Sequence, residues 1–163
     1  NRLFFIEVMG RDAGHIALNT GVAAGAEEIL IPEENLGLDR LIQSLKRSQK
    51  TGKSSSIVVV AEGDNTGENV FQLKDYVEKH LPDYEARVAV LGHMQRGGSP
   101  TCFDRVLASR LGVKAVESII DGETSSMVGL QNNIIELTPF KKAIKGITKI
   151  NTELLKVSDI MSI

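Results

Sequence analysis

Short apolar runs alternate with longer amphipathic segments along this chain, and this alternation predicts repeated strand–helix units. Strands are predicted near residues 3–9, 28–31, 56–61, 86–92 and 126–130. Helices are predicted over about residues 12–25, around 38–45, over 70–81, and from Pro100 to near Gly122. A weaker pattern follows, with a strand at residues 134–135, a turn at Pro139 and a helix around 151–161. The sequence therefore predicts an α/β fold, with a doubly wound, largely parallel sheet flanked by helices.

The composition is that of an ordinary globular domain. Of 163 residues, 42% are hydrophobic and 25% are charged, so we expect residues 1–163 to form a single domain. A net charge of −2 gives no bulk attraction to nucleic acid or to an anionic membrane, and we expect neither partner. The single cysteine, Cys102, excludes an internal disulfide and favours a reducing, cytoplasmic location.

One segment, LGHMQRGGSP, combines basic side chains with paired glycines between a predicted strand and a predicted helix. His93 and Arg96 follow the carboxyl end of the strand, where ligands bind in doubly wound folds. The glycines at 97–98 allow close backbone approach to an oxyanion. Ser99 is expected to cap the next helix and Pro100 to occupy its first turn, so free N–H groups would face the same anion.

A second segment of similar design follows the first strand. Met9, Gly10 and Arg11 lie between that strand and the small-residue helix. A cation at a helix N-terminus opposes the helix dipole, which favours a bound anion beside Arg11. Arg11 and Arg96 each carry a guanidinium fork suited to phosphate. Glu62 ends another predicted strand, where its carboxylate is placed to accept hydrogen bonds from sugar hydroxyls.

These two motifs, Met-Gly-Arg and Gly-His-x-Gln-Arg-Gly-Gly-x-Pro, resemble the phosphofructokinase family, and the resemblance runs along nearly the whole chain. It implies one domain of the phosphofructokinase fold. It also implies that His93 and Arg96 hold the phosphate of fructose 6-phosphate and that Glu62 contacts the sugar. By the same resemblance, Met9–Arg11 lies against the sugar, and Arg11 stabilises charge on the transferring phosphoryl group as the catalytic arginine.

The resemblance also implies contacts between subunits and an effector site. Arg2 and Arg87 match two arginines that bacterial members donate to a neighbouring subunit, which implies a homo-oligomer, expected to be a tetramer. Glu27 and Lys53 match residues of the bacterial allosteric nucleotide site. Two positions where further lysines are expected carry other residues, Thr51 and Ser54. The sequence therefore leaves undecided whether a nucleotide effector regulates this protein.

Two parts of a phosphofructokinase are missing from the sequence, namely the glycine loop for nucleotide phosphates and the catalytic aspartate base. We therefore expect residues 1–163 to be the fructose 6-phosphate-binding half of a longer two-domain chain, inactive alone. The complete glycolytic enzyme would phosphorylate fructose 6-phosphate to fructose 1,6-bisphosphate with Mg²⁺ and a donor. The sequence leaves open whether the phosphoryl donor is ATP or pyrophosphate. We expect no metal ligands among the residues of this chain.

Other interpretations of the same residues are a noncatalytic phosphosugar- or nucleotide-binding regulatory module, and a regulatory subunit in a hetero-oligomer. At the level of single residues, Glu62 has a purely structural alternative, in which its carboxylate caps Asn65 or Thr66.

Overall fold

The computed structural model describes residues 1–35, 37–67, 69–146 and 149–161. These residues separate into two compact units, one formed by Asn1–Arg96 with the segment that begins at Ile150, the other by Gly97–Lys149. The elements in chain order are β1 (Arg2–Val8), α1 (His15–Ala24), β2 (Glu28–Leu30), α2 (Gly37–Lys50), β3 (Ser55–Ala61), α3 (Val70–His80), β4 (Glu85–Val90), a 3₁₀ helix (Gly92–Arg96), α4 (Cys102–Ile120), β5 (Ser126–Gln131), β6 (Ile134–Pro139), α5 (Phe140–Ala143) and α6 (Thr152–Met161). The single-domain expectation stays a prediction.

The first unit is built on a four-stranded parallel sheet in the order β2-β3-β1-β4. β1 pairs with β3 on one side and with β4 on the other, so that Phe5 aligns with Val58 and with Val88. The crossover helices give the alternation of strand and helix that the apolar pattern predicts. The predicted α/β fold with a largely parallel sheet is thus confirmed.

Helices cover both faces of this sheet because alternate strand residues point to opposite sides. On one face, Phe5, Val58 and Val60 join a core with apolar residues of α2 and α3. On the other face, Val8 and Val59 pack with Ala17 and Leu18 of α1, and residues of α6 pack against them. Gly21 explains the close approach of α1, because a Cβ there would lie 2.5 Å from Cδ1 of Ile29.

The second unit contains α4, an antiparallel hairpin of β5 and β6, and the short helix α5. The strand predicted at 126–130 therefore belongs to this hairpin and not to the parallel sheet. Asn132 and Asn133 connect the two strands with φ of 48° and 65°. Asparagine tolerates these angles well, and a two-residue connection of this kind matches the twist of paired strands.

The N-terminus of α4 differs from the prediction at Ser99 and Pro100. Thr101 is the N-cap: its Oγ1 accepts a hydrogen bond from Asp104 N at 3.3 Å, and Asp104 Oδ2 accepts one from Thr101 N at 2.8 Å. This reciprocal pair needs an acidic or amide side chain three residues after the cap. Ser99 has Cys102 at that position, so α4 begins later than predicted.

In the part of the chain that the structure describes, no helix combines the length and the apolar character needed to cross a membrane.

Candidate functional site

The carboxyl ends of β3, β1 and β4, three neighbours in the sheet, lead into loops that surround a cleft of about 480 Å³. The residues that line it are Met9, Gly10, Arg11, Ile16, Glu62, Gln95 and Arg96. Five of these are site residues predicted from the sequence. The strand order explains their meeting, because loops that follow adjacent parallel strands emerge at the same sheet edge.

Arg11 lies in a tight turn that follows β1. The turn runs from Gly10 to Ala13, whose N–H donates to the Gly10 carbonyl at 3.1 Å. Arg11 has a φ of 52°, in the left-handed region that non-glycine residues rarely adopt. Arg11 is exposed, and it lines the cleft.

The dipole argument for Arg11 is wrong, because α1 begins four residues later, at His15. The helix terminus already has an anionic partner that sequence reasoning missed. Gly14 N donates to both carboxylate oxygens of Glu33, at 2.9 and 3.0 Å. An acidic side chain at this position complements the positive end of the helix. The sequence signal available was the acidic pair of Glu33 and Glu34, which is separated by two residues from the end of the short strand β2.

Glu62 holds the Arg11 turn. Its Oε1 accepts hydrogen bonds from Gly10 N at 3.2 Å and from Arg11 N at 2.6 Å. The structural alternative, that Glu62 caps Asn65 or Thr66, is wrong, since Asp64 has that role. Asp64 accepts from Thr66 N at 2.9 Å and from Thr66 Oγ1 at 3.0 Å.

An acidic hollow of about 260 Å³ borders the same strand ends and is lined in part by Glu7, Glu62 and Asp64. Burial raises the pKa of the Glu7 carboxyl, and the negative charge of Glu62 raises it further. Burial also raises the pKa of Asp64, against the opposing effect of its hydrogen bonds with Thr66. Three carboxyl groups therefore border this hollow, and one of them, that of Glu62, also lines the cleft with both arginines.

The 3₁₀ helix after β4 carries both basic residues of the glycine-rich motif. Arg96 lines the cleft, whereas His93 is exposed and lies outside the lining. Gln95, which sequence reasoning missed, connects this helix to the loop after β1. Its Oε1 accepts from Met9 N at 3.3 Å and its Nε2 donates to the Gly92 carbonyl at 3.4 Å. Its place between the two basic residues was the available signal.

The structure does not bring Arg2 and Arg87 into the cleft. Arg2 opens β1 at the opposite end of the sheet, roughly 20 Å from Val8 at the usual rise per strand residue. Arg87 lies within β4 and forms an ion pair with Glu85, with Nη2 and Oε1 2.6 Å apart. Both residues stay predicted contacts for a neighbouring subunit.

The structure brings Glu27 and Lys53 together, with Lys53 Nζ 3.4 Å from Glu27 Oε1. Glu27 is only 4% exposed, and its second oxygen accepts a hydrogen bond from Ile57 N at 2.5 Å. The carboxylate thus links the entry to β2 with β3. Their effector role stays a prediction.

Among the residues that the structure describes, no group of three or more histidine, cysteine or acidic side chains is arranged to hold a metal ion.

Comparisons with known proteins give a consistent result. The family model for phosphofructokinase matches residues 1–119. ATP-dependent 6-phosphofructokinase 1 of Thermus thermophilus is 50% identical over 162 residues, covering 99% of this chain and 50% of the relative. ATP-dependent 6-phosphofructokinase 2 of Bacteroides thetaiotaomicron is 45% identical over 162 residues, covering 99% and 49%. The chain spans about half the length of the curated relatives it matches.

Solved structures show the same similarity. Phosphofructokinase from Saccharomyces cerevisiae superimposes with a TM-score of 0.80 at 30% identity, covering 98% of this chain and 21% of that chain. A pyrophosphate-dependent phosphofructokinase from Marinobacter aquaeolei has a TM-score of 0.77 at 22% identity, covering 93% and 42%, and supports the fold alone. The extent of the family match and these likenesses agree with the motifs gathered in the cleft: the chain belongs to the phosphofructokinase family.

Proposed function

We propose that this chain is the sugar-phosphate-binding half of a 6-phosphofructokinase. The complete enzyme transfers a phosphoryl group to the 1-hydroxyl of fructose 6-phosphate and yields fructose 1,6-bisphosphate. The observation that carries this proposal is the meeting of Arg11, Arg96 and Glu62 in one cleft, at the carboxyl ends of adjacent strands. The volume of about 480 Å³ lies within the range of small-molecule sites.

The 6-phosphate binds at the 3₁₀ helix in this proposal. The guanidinium of Arg96 offers two parallel N–H donors that match a phosphate, and His93 on the same helix adds a further donor. Glu62 accepts hydrogen bonds from sugar hydroxyls through Oε2, since Oε1 already accepts from the Arg11 turn. Met9 and Gly10 form the wall against which the sugar lies.

Arg11 lies towards the reacting end of the sugar and stabilises the negative charge that develops on the transferring phosphoryl group. The base that accepts the hydroxyl proton, the donor and its Mg²⁺ belong to the other half of the enzyme. Relatives named as ATP-dependent, at 45% and 50% identity, favour ATP as the donor. Arg2 and Arg87 reach the sugar phosphate of a neighbouring subunit in a homo-oligomer.

The first test is a coupled assay of the full-length protein that contains this sequence, with fructose 6-phosphate and Mg²⁺. One reaction contains ATP and the other contains pyrophosphate. Turnover with ATP alone is the expected result. No turnover with either donor would contradict the kinase proposal and favour a noncatalytic phosphosugar-binding module.

Replacement of Arg96 tests the site itself. Arg96→Ala should raise the KM for fructose 6-phosphate by roughly 10- to 100-fold, because a charge-assisted bidentate contact with the phosphate is lost. Arg47→Ala is the matched control, since Arg47 is an exposed arginine on α2 outside the cleft. A KM for Arg96→Ala equal to that of the control variant would remove Arg96 from the site.

A further inference from the structure

The turn that carries Arg11 is held by hydrogen bonds to side chains that follow the two strands beside β1. Three consecutive backbone N–H groups donate to side chains that belong to other loops. Met9 N donates to Gln95 after β4, while Gly10 N and Arg11 N donate to Glu62 after β3. Side chains thus replace the ladder partners that β1 has along its length.

The backbone at Arg11 needs such support. A non-glycine residue at a φ of 52° is strained, and strained conformations persist where the surrounding structure over-determines them. The loop after β3 also packs directly on the turn. A Cβ built on Gly63 would lie 2.2 Å from the Arg11 carbonyl oxygen, so the two backbones are in close contact.

We propose that Gln95 and Glu62 are positioning residues that hold Arg11 in place for phosphoryl transfer. Gln95 bonds to Met9 N with one end and to the Gly92 carbonyl with the other. It therefore fixes the Arg11 turn to the 3₁₀ helix that carries His93 and Arg96. This inference rests on the proposed function, and it gives Glu62 a task in addition to contact with the sugar.

The two residues contribute unequally. Glu62 offers a carboxylate oxygen with one contact of 2.6 Å, and hydrogen bonds to carboxylates are short and strong. The contacts of Gln95, at 3.3 and 3.4 Å, lie beyond the usual range for N–H···O bonds. Loss of Glu62 should therefore displace Arg11 more than loss of Gln95.

The experiment is a pair of double-mutant cycles in the full-length enzyme, Glu62→Gln with Arg11→Ala and Gln95→Met with Arg11→Ala. Because small displacements of a reacting group are costly, we expect kcat to fall about tenfold in Glu62→Gln and about threefold in Gln95→Met. In the Arg11→Ala background, the further loss of kcat should disappear, since both residues act on kcat through Arg11, whereas the contact of Glu62 with the sugar acts on KM and persists.

Gln43→Met is the control, because Gln43 is an exposed glutamine on α2 outside the cleft. A change in the sugar KM alone, or an equal fall of kcat with and without Arg11, would overturn the inference. Each cycle tests the inference independently. If one variant misfolds, which thermal unfolding would detect, the other cycle still gives a result. Absence of turnover in the unsubstituted enzyme would instead refute the proposed function.

Discussion

Arg11 combines an unfavourable backbone angle with a position in the cleft. The other non-glycine residues with positive φ in the described part of the chain are Ser125 and the hairpin pair at 132–133, all within the second unit. Glycine would be the residue of least strain at position 11. An arginine at this position therefore lowers the stability of the fold relative to glycine, while it places a guanidinium in the cleft.

This strain is measurable by comparing two substitutions that both remove the guanidinium. We expect Arg11→Gly to be more stable than Arg11→Ala by about 1 kcal/mol, because only alanine retains the Cβ that disfavours the left-handed region. Urea denaturation of the two full-length variants gives the difference in the free energy of unfolding. Equal stabilities would show that the backbone at this position is relaxed.

Glu7 provides a second test at the residue scale, through pH. Its pKa is raised above 4.5, first by burial and then by the charge of Glu62, so the folded state favours the protonated carboxyl. The stability that this group contributes is complete below its ordinary pKa and is lost as the pH rises through the raised value. Glu7→Gln should therefore gain stability relative to the unsubstituted protein at pH 7 but not at pH 4.

Urea midpoints at the two pH values measure this effect, with Glu123→Gln as the control at an exposed carboxylate. A gain of the same size at both pH values would mean that packing, rather than charge, sets the difference.

At the scale of elements, side-chain caps decide where two helices begin. Glu33 caps α1 from the loop after β2, and Thr101 with Asp104 caps α4 from within its own first turn. Neither start coincides with the predicted one. The apolar pattern marks the body of a helix, whereas its end depends on the side chain that satisfies the first free N–H groups.

The N-cap of α4 can be tested against the residue that the sequence favoured. Thr101→Ala should destabilise the protein by about 1 kcal/mol, since it removes the acceptor for Asp104 N. Ser99→Ala should leave the free energy of unfolding nearly unchanged, because Ser99 lies before the cap. Chemical denaturation followed by far-UV circular dichroism compares the variants. A larger loss for Ser99→Ala would contradict the observed start of α4.

At the scale of the whole molecule, the fold could be predicted because its signals are local. Val58, Val59 and Val60 follow one another in the chain, and such a run favours a strand buried on both faces wherever it occurs. The placement of Arg11 and Arg96 at the same edge of the sheet was also foreseeable, since both follow the carboxyl end of a strand. This placement follows without the strand order, whereas their meeting in one cleft depends on β4 lying beside β1.

The contacts within the site depend on that order and could not be predicted. Gln95 reaches Met9 only because β4 lies directly beside β1, and Glu62 reaches Arg11 only because β3 lies on the other side. Residues separated by 50 or more positions in the chain carry no local sign of such neighbours.

The central place of β1 in the sheet has a consequence for hydrogen exchange. Because β1 is paired on both sides, its backbone amides become accessible to solvent only when the sheet itself opens. The outward-facing amides of the edge strand β4 exchange through smaller fluctuations. Arg11 follows Val8, the last residue of β1, by three positions. It is therefore anchored to a strand that is paired on both sides, and opening at the edge beside β4 would release the Gln95 contact while the Glu62 contacts remain.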